Sequence, residues 1–168
     1  MNKKGRQQLE NELLKLTNTN QCLKIFKIKD VKTPERKGRN AGIDFFIPNS
    51  FNKGKDFILK KNKSILIPSG IKVKIPENYS LIAFNKSGIS TKLGLQVGAC
   101  VVDENYTGEV HIHLINISKN KVILFPGQKI IQFLLIKVNY VIPIEINQEK
   151  NMCWNNKERG EKGFGSTG

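Results

Sequence analysis

The sequence predicts an all-β domain whose short strands close into a barrel or sandwich. Apolar and polar residues alternate over short runs, as in IKVKIP and VHIHL. Turn-forming clusters (PNS, IPSG, PEN, KSG, YTG and FPG) recur about every ten residues, a spacing typical of many-stranded antiparallel folds. Beyond residue 20 the period of an amphipathic helix largely disappears.

Residues 1–21 read as an N-terminal extension. Leu9, Leu13, Leu14 and Leu16 fall at helical intervals in QQLENELLKL, which predicts a short amphipathic helix ended by TNTNQ. The β domain then spans residues 22–146. Leu23 to Lys29 mixes apolar residues and lysines as a strand does. IKVKIP turns Ile71, Val73 and Ile75 to one face and Lys72 and Lys74 to the other. Val110, Ile112 and Leu114 alternate with His111 and His113. VILF and IIQFLLIKV supply two fuller apolar strands. From Asn147 the apolar pattern fades, and residues 147–168 form a polar arm whose last ten residues, RGEKGFGSTG, hold four glycines.

A chain of 168 residues is long enough to bury a substantial core as one domain. It contains no run of 18 apolar residues, and MNKKGRQQLENELLKL lacks a signal peptide's apolar centre, so a soluble intracellular protein is expected. Cys22, Cys100 and Cys153 are odd in number and widely spaced, forming neither a disulfide framework nor a zinc pattern. The net charge of +14 comes almost wholly from scattered lysines; the arginines are only Arg6, Arg36, Arg39 and Arg159. Nucleic-acid binders cluster basic residues on one face and favour Arg, so a solvated surface, or a field that gathers small polyanions, is expected instead.

Several chemistries are excluded. The chain has no GxxxxGK[ST] loop, no GxGxxG after a strand, no HExxH and no paired CxxC. His111 and His113 lack a third ligand, so they read as a sheet-face pair, and Trp154 reads as a packing residue at the start of the arm. What remains is a series of short segments that pair glycine with polar side chains: AGIDFFIP (41–48), NKSGIS (85–90), VGACVVDENYTGE (97–109), PGQKIIQFLL (126–135) and RGEKGFGSTG (159–168).

In order and content these five segments resemble the five motifs of the trimeric dUTP pyrophosphatase (dUTPase) family. AGIDFFIP is similar to its AGYDL-type first motif and NKSGIS to its RSG-type second. The third resembles GVIDxDYxG, the fourth GDRIAQL, and the tail RGxGGFGSTG. The resemblance covers roughly residues 22–168. It implies a jelly-roll-like β domain that forms a homotrimer with shared active sites and hydrolyses dUTP to dUMP and pyrophosphate. That reaction limits uracil in DNA and supplies dUMP for thymidylate synthesis. The implied cofactor is Mg²⁺, held mainly by the substrate's triphosphate. The implied setting is the cytoplasm, or a host cell's interior for a viral chain, with no membrane partner.

Residue by residue, the resemblance implies that Asp103 activates the attacking water and that Tyr106 packs on the deoxyribose and excludes a 2′-hydroxyl. Uracil would be read by the surrounding hairpin, through Val97, Cys100, Val101, Val102 and His111, where each mismatched polar group costs about 1–3 kcal/mol. Lys86, Ser87, Gly88 and Gln132 would hold the phosphates, and Asp44 would approach the metal through water. The tail would close as a lid, with Arg159 on the phosphates, Phe164 on the uracil, and Gly165, Ser166 and Thr167 beside the nucleotide.

Four positions depart from the family pattern. Lys86 replaces an arginine fork with a point charge, Cys100 and His111 stand at glycine positions beside the base, and Gln128 replaces an aspartate at a turn. If Cys100 and His111 point inward they reshape the base site; if outward, little changes. Two further readings share the fold: a deoxycytidine triphosphate deaminase, which needs a glutamate base in another setting, and a regulatory nucleotide-binding protein that works through partners.

Overall fold

The computed structural model describes residues 22–152, and within them the regular structure is mostly antiparallel strand. The helix expected around Leu9–Leu16, Cys153, Trp154 and the tail residues Arg159, Phe164, Gly165, Ser166 and Thr167 lie outside the described residues.

Ten strands follow one another: β1 (Lys24–Lys27), β2 (Ile43–Phe46), β3 (Phe57–Leu59), β4 (Ser64–Lys74), β5 (Tyr79–Phe84), β6 (Leu95–Val97), β7 (Val101–Val102), β8 (Glu109–Asn116), β9 (Val122–Leu124) and β10 (Lys129–Lys137). They form a four-stranded sheet of order β1-β4-β8-β6, a second of order β2-β10-β5-β7, and a ribbon of β3 and β9. Non-sequential neighbours throughout give the jelly-roll-like architecture expected from the sequence.

The alternation read from the sequence is the reason the sheets stack. Ile71, Val73 and Ile75, and likewise Val110, Ile112 and Leu114, are buried, while Lys72, Lys74 and His111 face outward. Opposite them sit Phe45, Leu81, Ala83, Ile131 and Phe133 of the second sheet, all in one apolar cluster. The rings of Phe45 and Phe133 meet at 4.5 Å between centroids, a tilted pair that locks β2 to β10. At one end Asn116, fully buried, donates from Nδ2 to the carbonyls of Leu59 (3.0 Å) and Asn120 (2.9 Å), and its Oδ1 accepts from Ser118. Its amide is thereby satisfied inside the core.

Two local expectations are corrected. IPSG, expected as a turn, lies inside β4 as an irregularity between Pro68 and Lys72 in its pairing with β8. Gly70 is left-handed there (φ +74°), and Pro68, which has no donor, is tolerated where the ladder is interrupted. KSG opens a short helix, α1 (Ser87–Leu93), closed by left-handed Gly94 (φ +63°). With only seven residues it leaves too little helical period to read. After β10 the chain runs from 138 to 146 without strand partners, exposing Tyr140, Val141, Ile142 and Ile144.

Ile112→Ala should cost about 2–5 kcal/mol, because the residue is fully buried between the sheets. Gln96→Ala, on the exposed face of β6, should stay within about 0.5 kcal/mol. Urea unfolding of both variants checks the difference, with unchanged m-values expected.

Candidate active site

The first cluster of candidate residues grows from the shortest strand. β7 pairs with β5 through Leu81↔Val102 and Ile82↔Val101, and the Ala83 N–H donates to the Cys100 carbonyl at 2.8 Å. Asp103 therefore leaves the sheet at a strand end, in a turn closed by the Tyr106 N–H on the Asp103 carbonyl (3.1 Å). The Tyr106 hydroxyl donates to the Glu109 carbonyl at 2.9 Å, and His111 Nδ1 meets the same oxygen at 2.9 Å. A carbonyl can only accept, so Nδ1 carries a hydrogen. One oxygen thus fixes both rings. A Cβ at Gly108 would overlap the Tyr106 ring, which explains that glycine within the fold.

A pocket of about 170 Å³ opens between these groups, lined by Cys100, Val101, Val102, Asp103, Tyr106 and His111, with buried Val110 and Phe133 among its walls. Cys100 and His111 both line this pocket, His111 from the outer face of β8. Cys100 is also partly buried against the core. Val97 stays on β6, donating its N–H to Asn85 Oδ1 (2.8 Å), and is not among the described lining. His113 accepts from the Ala99 N–H at 2.8 Å through Nδ1, which therefore carries no hydrogen. Among the described residues no three potential ligands gather for a metal.

The second cluster lies along a row of the sheet that also holds β7, where Asp44 of β2 pairs with Gln132 of β10 and Gln132 with Phe84 of β5. Asp44 and Gln132 are both strand residues. Asp44 is buried, with Oδ1 accepting from Lys86 Nζ at 2.8 Å and Oδ2 from Lys129 Nζ at 2.9 Å. Lys129 also pairs with Glu35 at 3.3 Å. Gln132 gives one amide hydrogen to the Asn85 carbonyl at 2.9 Å, and a Cβ at Gly42 would overlap its carboxamide. Lys86 is the cap residue of α1, so Ser87 and Gly88 form its exposed first turn, where helical N–H groups have no intrahelical acceptor. A Cβ at Gly88 would meet nothing within 4 Å.

Two residues of these clusters were not singled out in the sequence. Lys129 sits three places before Gln132 but reads as an ordinary surface lysine. Glu109 lines the pocket, and its Oε1 accepts from the Gly70 N–H (2.7 Å) and Lys29 Nζ (3.1 Å), tying the hairpin to β4. Only the irregularity at Gly70, hidden behind a turn-like IPSG, would have betrayed that contact.

The two carboxylates titrate low. Burial pushes Asp44 up, but hydrogen bonds from Lys86 and Lys129, with their charges, outweigh it and hold the group below the ordinary aspartate range. Glu109 behaves likewise, burial being outweighed by the Gly70 N–H, Lys29 and the charge of His111. A depressed carboxylate contributes stability above its unfolded-state pKa and loses it as pH falls through the folded value. Unfolding free energy should therefore drop as pH is lowered from neutrality into the acid range. The combined Asp44→Asn and Glu109→Gln variant should show a shallower acid slope than the parent, measured by urea unfolding across that range.

A family model described as dUTPase matches residues 33–168. The deoxyuridine 5'-triphosphate nucleotidohydrolase of Fusobacterium nucleatum is 32% identical over 150 residues, covering 87% of this chain and 96% of that protein. Among solved structures, the Staphylococcus bacteriophage 80alpha dUTPase with dUpNHpp aligns with a TM-score of 0.70 at 22% identity, over 88% of this chain and 98% of that one. The dUTPase of phage phi11 of S. aureus, solved with a structural Mg(II) ion, aligns at 0.66 and 18% identity, over 76% and 97%. These two share the fold. The chain belongs to the dUTPase family.

Proposed function

We infer that this chain is a dUTP diphosphatase, a hydrolase of nucleotide metabolism that converts dUTP and water to dUMP and pyrophosphate. The observation that carries its mechanism is the strand-end carboxylate of Asp103 beside a pocket whose Tyr106 and His111 are pinned to one carbonyl.

In the proposed reaction, Asp103 takes a proton from a water whose oxygen attacks the α-phosphorus. The bond from that phosphorus to the bridging oxygen of the β-phosphate breaks, and pyrophosphate leaves. The Tyr106 ring lies against the sugar, leaving a 2′-hydroxyl neither room nor a partner. Backbone groups of residues 97–111 meet the uracil edge, and a wrong base leaves them unpaired. Cys100 and His111 narrow the base end of the pocket.

Lys86, Ser87 and Gly88 receive the phosphates. The open space at Gly88 supports this role, since packing does not require a glycine there. Gln132 has a second amide hydrogen to offer the same chain. Lys129 joins Lys86 in offsetting phosphate charge.

The described residues do not fit an inner-sphere magnesium site, because both Asp44 oxygens are engaged by lysines and no other group of three ligands is present among them. A family magnesium ion would ride on the triphosphate and offset its charge, and Asp44 serves to hold the two lysines.

The base pocket and the phosphate-side residues form separate clusters on the chain: the pocket lining includes none of Asp44, Lys86, Ser87, Gly88 or Gln132. This separation supports a homotrimer in which neighbouring subunits complete each site. Residues 147–168 would then close over it, with Arg159 on the phosphates, Phe164 on the base, and Gly165, Ser166 and Thr167 along the nucleotide. The proposed setting is the cytoplasm, or a host cell's interior for a viral chain, where free nucleotides are found.

Pyrophosphate release from dUTP with magnesium tests the reading. Asp103→Asn keeps the pocket's shape and should lower kcat by about 10²–10⁴-fold. Undiminished turnover, or ammonia release from dCTP by the parent, would overturn it. Tyr106→Ala should narrow the preference for dUTP over UTP, measured as the ratio of kcat/KM values.

A further inference from the structure

Asp103 is weakly held for a residue assigned to catalysis. Its strand, β7, is two residues long, and among the described residues its carboxylate makes no hydrogen bond or ion pair. Its direction is therefore set by backbone, and the next residue is where that backbone is tied down. Glu104 Oε2 accepts from the Asn78 N–H at 2.7 Å and from the Tyr140 hydroxyl at 2.9 Å. Asn78 is itself left-handed (φ +63°) in the turn between β4 and β5, and its carbonyl accepts from the Val138 N–H at 2.8 Å. Three segments distant in sequence, the 76–79 turn, the Asp103 hairpin and the chain leaving β10, thus converge on one carboxylate. Asp103, Glu104, Asn105 and Tyr140 also line a second cleft, so Asp103 stands on the wall between that cleft and the base pocket.

We propose that Glu104, clamped by Tyr140 and the Asn78 N–H, is a positioning residue that sets the aim of Asp103. The inference rests on Asp103 being the group that activates water. The hydrogen bond to Glu104, followed by burial and the charges of Glu104 and Asp103, raises the Tyr140 pKa above the ordinary tyrosine range, so the phenol stays a donor at working pH. Without the clamp the hairpin retains its two ladder residues and its turn, and so remains folded, but the carboxylate is free to swing. Misplacing a catalytic group by a fraction of its reach slows chemistry without weakening substrate binding.

Tyr140→Phe and Glu104→Ala should each lower kcat for dUTP about ten- to hundredfold with KM within about twofold of the parent. Glu104→Gln keeps an oxygen that accepts both bonds and should restore kcat to near the parent value. In an Asp103→Asn background, Tyr140→Phe should cause no further loss, because the group it aims is already gone. Urea midpoints of all variants separate aim from folding. The proposal is overturned if Tyr140→Phe leaves kcat within about twofold of the parent, if KM carries the loss, or if Tyr140→Phe slows the Asp103→Asn enzyme as much as the parent. If Asp103→Asn turns over normally, it is the assignment of Asp103 that fails.

Discussion

The apolar layer between two four-stranded sheets constrains everything else in this molecule. Once Phe45, Ile112, Leu114 and Phe133 occupy it, each strand must turn its other face to solvent, and polar chemistry is pushed to strand ends and outer rows. Among the described residues Asp44 is the buried charged side chain, and it shows the cost. Its carboxylate lies among buried strand residues and is tolerated there because each oxygen has a lysine ammonium within 3 Å. The same constraint makes β7 short: its two residues reach the sheet edge, and the chain then turns away, carrying Asp103 out of the core.

Rigidity in the base pocket is not spread evenly. Tyr106 and His111 are anchored through one carbonyl, and Glu109 ties that carbonyl's own residue back to Gly70 of β4. The opposite wall hangs from two ladder residues and the Glu104 contacts. In the second cluster, α1 brings Lys86 to Asp44 while leaving Ser87 and Gly88 open to solvent.

Much of this was legible before any coordinates. Strict alternation around Ile71–Ile75 and Val110–Leu114 fixed both strand identity and facing, because one buried face tolerates no slip of register. The Asp103 turn followed from two valines ending in a polar, glycine-bearing run. Three things were hidden. IPSG looks like a turn because Pro and Gly punctuate loops and irregular strands alike. Helix α1 is too short to display its period. Lys129 and Glu109 acquire their partners on neighbouring strands distant in sequence, Lys129 with Asp44 and Glu109 with Gly70, which no local pattern encodes. The pocket-facing direction of Cys100 and His111 also waited on the pairing of the Cys100 carbonyl with β5 and on the tether to Glu109.

Gly88 offers a way to separate architecture from chemistry. Among the described residues nothing crowds that position, so a population of variants screened only for remaining folded would accept many side chains there. Under the proposed phosphate-binding role, the same population screened for growth that depends on clearing the substrate would filter the position hard. A mismatch between those two tolerance maps would mark where the nucleotide, rather than the protein, dictates the sequence.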